Sequence, residues 1–200
     1  PGPLAGRMLV DLGAEVTLVA RPKKGGLPPE MTPSRDGPLL KGKHITEIDL
    51  KSPDGTACAL ELIVHADVLI EGNRPGVMER LGLGPEACAK VNAKLVYARM
   101  TGWGQSGPLS GAAGHDLNYI ALSGLLSLAS AAGQPPRTPP TILGDAVGGL
   151  AMVCGIACAL SRARSEGRGS VVDAAIADAL AMLSPLTLML RSTGEIEGDR

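Results

Sequence analysis

The sequence predicts an α/β fold, a Rossmann-like parallel sheet with helices on both faces. Three observations carry this. Short β-rich runs recur through the first half of the chain, helical patterns separate them, and the run 66–71 is apolar enough for both of its faces to be buried. In such sheets ligands sit at the carboxyl ends of the strands, so the residues that follow each strand are the first candidates for a site.

The elements follow in order. A short amphipathic helix over 4–12 ends at Gly13, and 15–20 reads as a strand. A loop then carries Arg21, Lys23 and Lys24 with prolines at 22, 28, 29 and 33. A second strand spans 45–50, and a helix starting at Ser52 or Asp54 runs to about 64 with Pro53 in its first turn. The third strand is 66–71. Gly82-Leu83-Gly84-Pro85 breaks the chain before a helix at 86–92, and 94–99 is the fourth strand. Past Gly114, a helix spans 115–128 with Gly124 inside it, a Pro-rich loop covers 132–140, and a long helix spans 146–164, ended by Gly167 and Gly169. A short strand at 171–173 leads to a last helix over 174–190, which Pro185 should kink or split.

Composition excludes several function classes. Apolar residues make up 44% and charged residues 20%, and the net charge of −1 argues against a general nucleic-acid binder. With no Phe, one Trp and two Tyr, the core must be aliphatic and Met-rich, and RNA reading by stacked aromatics is excluded. Cys154 and Cys158 stand four apart on an apolar helix without His or acidic partners, so they read as buried small residues rather than metal ligands. No metal site, signal peptide or uncharged 18-residue run is expected, and 142–160, with Asp145 and four glycines, reads as a buried helix. Cytoplasmic placement is the expectation (peroxisomal or mitochondrial in a eukaryote). The chain opens without Met and stops in a polar turn-like stretch, which reads as a piece of a longer protein.

The chemistry concentrates in two glycine-flanked motifs, Gly114-His115-Asp116 and Gly144-Asp145, each at the start of a helix. An imidazole and a carboxylate can both exchange protons near neutral pH once tuned. Facing each other across a cleft, they could remove and return a proton on opposite sides of one carbon. The bland readings are that His115 caps a packed loop and that Asp145 is the N-cap of a helix beginning at Ala146. That helix end would keep Asp145 ionised, and its free N–H groups could stabilise an enolate. Gly148 and Gly149 would leave room there for a bulky ligand. Arg21, Lys51, Arg74, Arg80 and Arg99 lie at or beyond strand ends and together suit a phosphorylated ligand. No G-x-G-x-x-G follows a strand and no P-loop exists, so NAD and P-loop nucleotides are not the phosphate source. Ser123, Ser127 and Ser130 lack a nucleophile elbow. The loop 101–107 either covers a ligand or turns the chain. Met152, Met182 and Met189 read as core.

On these motifs the chain resembles the family III CoA-transferase superfamily and, within it, the α-methylacyl-CoA racemase branch. The matching stretches include Leu12-Gly13-Ala14-Glu15-Val16, Asp49-Leu50-Lys51-Ser52-Pro53-Asp54-Gly55, Glu71-Gly72-Asn73-Arg74-Pro75-Gly76-Val77, Leu81-Gly82-Leu83-Gly84-Pro85 and Arg99-Met100-Thr101-Gly102-Trp103-Gly104-Gln105. Gly114-His115-Asp116-Leu117-Asn118-Tyr119, Gly144-Asp145 and 167–175 complete the set, in the family's order. The resemblance implies a Rossmann-like large domain over 1–200, truncated at both ends, with the small domain largely missing and two chains interlocked as a homodimer. It implies epimerisation of 2-methylacyl-CoA thioesters by His115 and Asp145 through an enolate. It also implies no permanently bound cofactor, CoA entering as part of the substrate. It places Arg21, Ile48, Asp49, Leu50, Lys51, Gly72, Asn73, Arg74, Arg80, Ala113, Gly114, His115, Asp116, Leu117 and Asn118 around the CoA moiety.

The branch is decided at His115, where the transferases carry Tyr. The alternatives are a CoA-transferase with Asp145 as nucleophile and an inactive CoA-binding remnant. Departures from the family are the missing small-domain glutamate that assists the histidine, the absence of Phe between Asn73 and Arg74, and a more polar strand at 43–47.

Overall fold

A computed structural model describes residues 1–22, 37–128, 134–139 and 142–194. Lys23, Lys24, Ser130 and the prolines at 28, 29 and 33 lie outside the described residues. Helix α1 (Gly2–Asp11) precedes β1 (Thr17–Ala20), which pairs in parallel with β2 (His44–Glu47), Thr17 opposite His44 and Ala20 opposite Glu47. Ser52 caps α2 (Pro53–Val64), its Oγ accepting the Gly55 N–H at 3.0 Å, with proline in the first turn as the Ser-Pro pair predicts. The second parallel sheet has the order β3 (Val68–Glu71), β4 (Val96–Thr101), β5 (Ser170–Ala175). Between β3 and β4 lie α3 (Val77–Arg80), a single turn the sequence did not signal, and α4 (Pro85–Val91).

Between β4 and β5 run α5 (Asp116–Leu122), α6 (Leu125–Leu128) and α7 (Leu143–Glu166). The continuous helix expected over 115–128 is broken at Gly124, whose φ of +80° no helix accommodates. The helix expected over 174–190 is also divided. β5 extends to Ala175, paired with Thr101, before α8 (Ile176–Ala181), and α9 (Ser184–Ser192) restarts with Pro185 in its first turn.

Because strand side chains alternate, β4 serves two cores. Ala98 and Met100 join Met152, Ile156, Ile120, Tyr119, Ile176 and Leu180 beneath α1, α5, α7 and α8. Leu95 and Tyr97 join Ala59, Ile63, Met78, Leu83 and Cys88 beneath α2, α3 and α4. Burial there pushes the Cys88 thiol up to about 11.

Several side chains read as buried are not. α7 buries Gly144, Gly148, Met152, Val153 and Ile156, but its opposite face, with Leu150, Cys154 and Cys158, is exposed. A helix apolar on all sides gives no sequence cue to which stripe meets the sheet. Met152 is core as expected, whereas Met182 and Met189 are 76% and 53% exposed.

Candidate active site

The loop leaving β4 closes on one ring. A Cβ at Gly102 would stand 2.2 Å from the Tyr119 Oη, and one at Gly114 would stand 2.8 Å from Tyr119 Cε1 and 3.0 Å from Trp103 Nε1. Only glycine lets both backbones approach this closely. Trp103 meets Tyr119 edge to face, ring centroids 4.7 Å apart. Thr101 Oγ1 accepts the Gly104 N–H at 2.9 Å and Asp173 Oδ2 accepts the Gln105 N–H at 3.0 Å, which pins the loop 101–107 to β5. The Trp103 Nε1 and Gln105 Nε2 donors are buried without a partner among the described residues.

The His115-Asp116 pair starts α5 on this floor. His115 is exposed, in extended conformation at the N-cap, and its backbone N–H donates to Asn118 Oδ1 at 2.9 Å. Asp116 reaches out of its own helix, its Oδ1 accepting the Asp145 backbone N–H at 2.8 Å. Asp145 itself is the third residue of α7 and not its N-cap; that position is Ile142. One carboxylate therefore ties the two motifs together, and the Asp145 N–H is not a free donor for an enolate. The Asp145 side chain is 24% exposed, with Oδ2 3.9 Å from the Pro1 nitrogen. The Tyr119 hydroxyl is held above the usual phenol range first by burial, then by the charges of Asp145 and Asp116.

The room expected over Gly148 and Gly149 is taken by protein. Added Cβ atoms would meet Ile176 Cγ1 at 2.9 Å and Pro1 O at 3.4 Å, so these glycines seat α8 and α1 against α7.

The anion edge divides differently. Ile48 N donates to Ala20 O at 2.9 Å, so Arg21 and the turn Ile48, Asp49, Leu50, Lys51 leave the β1–β2 pair side by side. Ile48 is buried, and Asp49 Oδ1 accepts the Lys51 N–H at 3.1 Å. Gly72, Asn73 and Arg74 follow β3 directly, and Arg80 ends α3; both arginines are exposed. Ala113, Leu117 and Asn118 are exposed, and Gly114 is partly buried.

Arg99 does not join the anion-binding group. It is 6% exposed, its Nε donating to Glu71 Oε1 at 2.9 Å and its Nη1 and Nη2 to Glu79 Oε1 and Oε2 at 2.8 and 3.3 Å. Reading residues after strands as one set missed this pairing. The available signal was an arginine inside an apolar strand, which needs a buried partner.

A hollow of about 360 Å³, lined by residues including Leu95, Tyr97, Gly169 and Val171, opens near the starts of β4 and β5 and contains neither His115 nor Asp145. Among the described residues, no three or more His, Cys, Asp or Glu side chains gather at metal-binding spacing.

The chain is similar to known proteins along nearly its whole length. It is 43% identical over 185 residues to the α-methylacyl-CoA racemase of Mus musculus, an alignment covering 92% of this chain and 46% of that protein. It is 36% identical over 202 residues to the acetyl-CoA:oxalate CoA-transferase of Acetobacter aceti, covering 97% and 52%. The chain thus spans about half the length of the curated relatives it matches. Among solved structures, Rv3272 from M. tuberculosis is 33% identical with a TM-score of 0.82, covering 98% of this chain and 56% of that one. A CAIB/BAIF family protein from Brucella suis is 25% identical with a TM-score of 0.87, covering 99% and 55%. The sequence pattern of CoA-transferase family III matches residues 1–200, and the chain belongs to that family.

Proposed function

We propose that the full-length protein epimerises the α-carbon of 2-methylacyl-CoA thioesters, and that this chain supplies both proton-transfer groups. The observation that carries the reading is the Asp116 carboxylate. By accepting the Asp145 N–H at 2.8 Å, it holds the helix that begins beside His115 against the helix that bears Asp145. In this reading an imidazole at the start of α5 and a carboxylate on α7 flank the α-carbon of the bound thioester. The thioester acidifies the α-proton; one base takes it to give an enolate, and the other group returns a proton to the opposite face. His115, where the transferase branch carries Tyr, favours this chemistry, as does the identity to the mouse racemase.

The second reading is CoA transfer with Asp145 as nucleophile. It is favoured by CoA-transferase relatives at 32–36% identity across the same residues, and by the partial exposure of the Asp145 carboxylate. Incubation of one 2-methylacyl-CoA epimer in D2O separates the two. Epimerisation predicts deuterium at the α-carbon with inversion, reduced about 10²–10⁴-fold by His115→Ala or Asp145→Ala. Hydroxylamine capture of an acyl group on Asp145, with CoA exchange between acids and no deuterium uptake, would establish transfer instead.

A further inference from the structure

Arg99, Glu71 and Glu79 form a charged cluster that the proton-transfer chemistry does not use. Glu71 and Arg99 face each other in the β3–β4 register and are each 6% exposed. Glu71 works with both oxygens: Oε1 accepts from Arg99 Nε at 2.9 Å, and Oε2 accepts the Asn73 backbone N–H at 2.7 Å. The other edge of the guanidinium holds Glu79 through two hydrogen bonds. The anchored groups are thus the immediate chain neighbours of two exposed arginines. Asn73 precedes Arg74, and Glu79 precedes Arg80.

We propose that Arg99 is a positioning residue for a phosphorylated ligand. Through Glu71 it fixes the Gly72-Asn73-Arg74 loop, and through Glu79 it fixes α3, so that Arg74 and Arg80 are presented to one anionic group. This rests on the CoA-thioester reading of that loop. The physical need is twofold. A loop ordered before binding spends less of its interaction energy on ordering when the ligand arrives. Two carboxylates beside a phosphate site would repel the ligand unless a cation lies between them, and Arg99 is the cation placed there.

The test compares wild type with Glu71→Gln and Glu79→Gln in the full-length protein. An amide at position 71 has one acceptor oxygen, so Glu71→Gln cannot serve both Arg99 and the Asn73 N–H. Glu79→Gln perturbs only the more exposed arm and guards against misfolding of the first variant. Hydrogen exchange of the 72–74 amides, read without ligand, should quicken in Glu71→Gln while exchange in β4 stays unchanged. The Kd for CoA should weaken about tenfold in Glu71→Gln, and by less in Glu79→Gln. Binding of pantetheine, which lacks the nucleotide phosphates, should not move, and kcat with saturating thioester should stay near wild type.

Unchanged exchange at 72–74, or equal losses for CoA and pantetheine, would overturn the positioning role. Failure of wild type itself to bind CoA would overturn the ligand reading, and the exchange result would still decide whether the clamp orders the loop.

Discussion

The two faces of the β3–β4–β5 sheet hold their loops in different ways. On the face beneath α5, α7 and α8, position is set by shape: glycine backbones pressed on Tyr119, Trp103 edge-on to it, and Gly148 against Ile176. On the face beneath α2, α3 and α4, the apolar packing stops at Tyr97, and the next residue on that side, Arg99, is charged and bound to two glutamates. Close packing tolerates small volume changes poorly but is indifferent to pH. An ion cluster fixes direction, and removing one member strands the others in a poor solvent for charge. His115 and Asp145, the proposed proton-transfer pair, stand at the start of α5 and on α7 of the packed face, and the exposed Arg74 and Arg80 adjoin the ionic one.

The largest effect expected in stability comes from breaking each face at its centre. Arg99→Met leaves Glu71 buried without its cation and should cost about 3–5 kcal/mol. Met152→Ala, in the fully buried centre of the other face, should cost about 2–5 kcal/mol by opening a cavity. Urea unfolding gives both numbers, and the pair Glu71→Leu with Arg99→Met sharpens the contrast. Replacing the buried ions by apolar groups should recover most of the stability lost in Arg99→Met, because the stranded charge is gone. No such recovery would mean that the packing, not the charge, was damaged. The Asn73 amide should lose its protection in that double variant, since its acceptor on Glu71 is gone.

A smaller effect belongs to the link between the two glycine-flanked motifs proposed to be catalytic. Asp116→Ala removes the acceptor of the Asp145 N–H at the start of α7 and should lower stability by about 1–2 kcal/mol. Asp116→Asn keeps an acceptor oxygen and should lose less than half of that. If the two substitutions unfold at the same urea concentration, the hydrogen bond across the site contributes nothing, and the packed face holds its loops by shape alone.

How much of this was legible follows from where the information resides. β3 and β4 were visible because apolar residues on both faces are a local signal. The Ser52-Pro53 start of α2 was visible because capping is local chemistry. The pair Ala174-Ala175 reads toward helix by propensity, yet Ala175 pairs with Thr101, a partner far away in the chain. Asp145 looked like an N-cap because a short acidic residue preceded an apolar run; the turn before it is held by Ile142 accepting the Ala146 N–H, which no side-chain pattern announces. The motif pair His115 and Asp145 was found by residue type and glycine context. The bridge through Asp116 was not, because it joins residues 29 apart. Arg99 was assigned to the ligand for a related reason. Its place near a strand end is sequence information, but Glu71 lying opposite it is register.

The smallest effect expected is with pH, and it should arise on the ionic face only. The Glu79 carboxyl is held below its ordinary value of 4.5, first by its hydrogen bonds from Arg99, while burial pulls the other way. A depressed folded-state value means that the interaction stabilises the fold above the unfolded value near 4.5 and is lost as the pH falls through the folded value. The side chain is 44% exposed, so solvent screening keeps this contribution below about 1 kcal/mol. Urea midpoints taken between about pH 6 and pH 3 should therefore show a smaller acid loss in Glu79→Gln than in wild type. Met152→Ala should be destabilised throughout yet keep the wild-type slope, since its cost is a cavity and binds no proton. Equal slopes for Glu79→Gln and wild type would place the acid sensitivity elsewhere and remove charge as what distinguishes the two faces at this position.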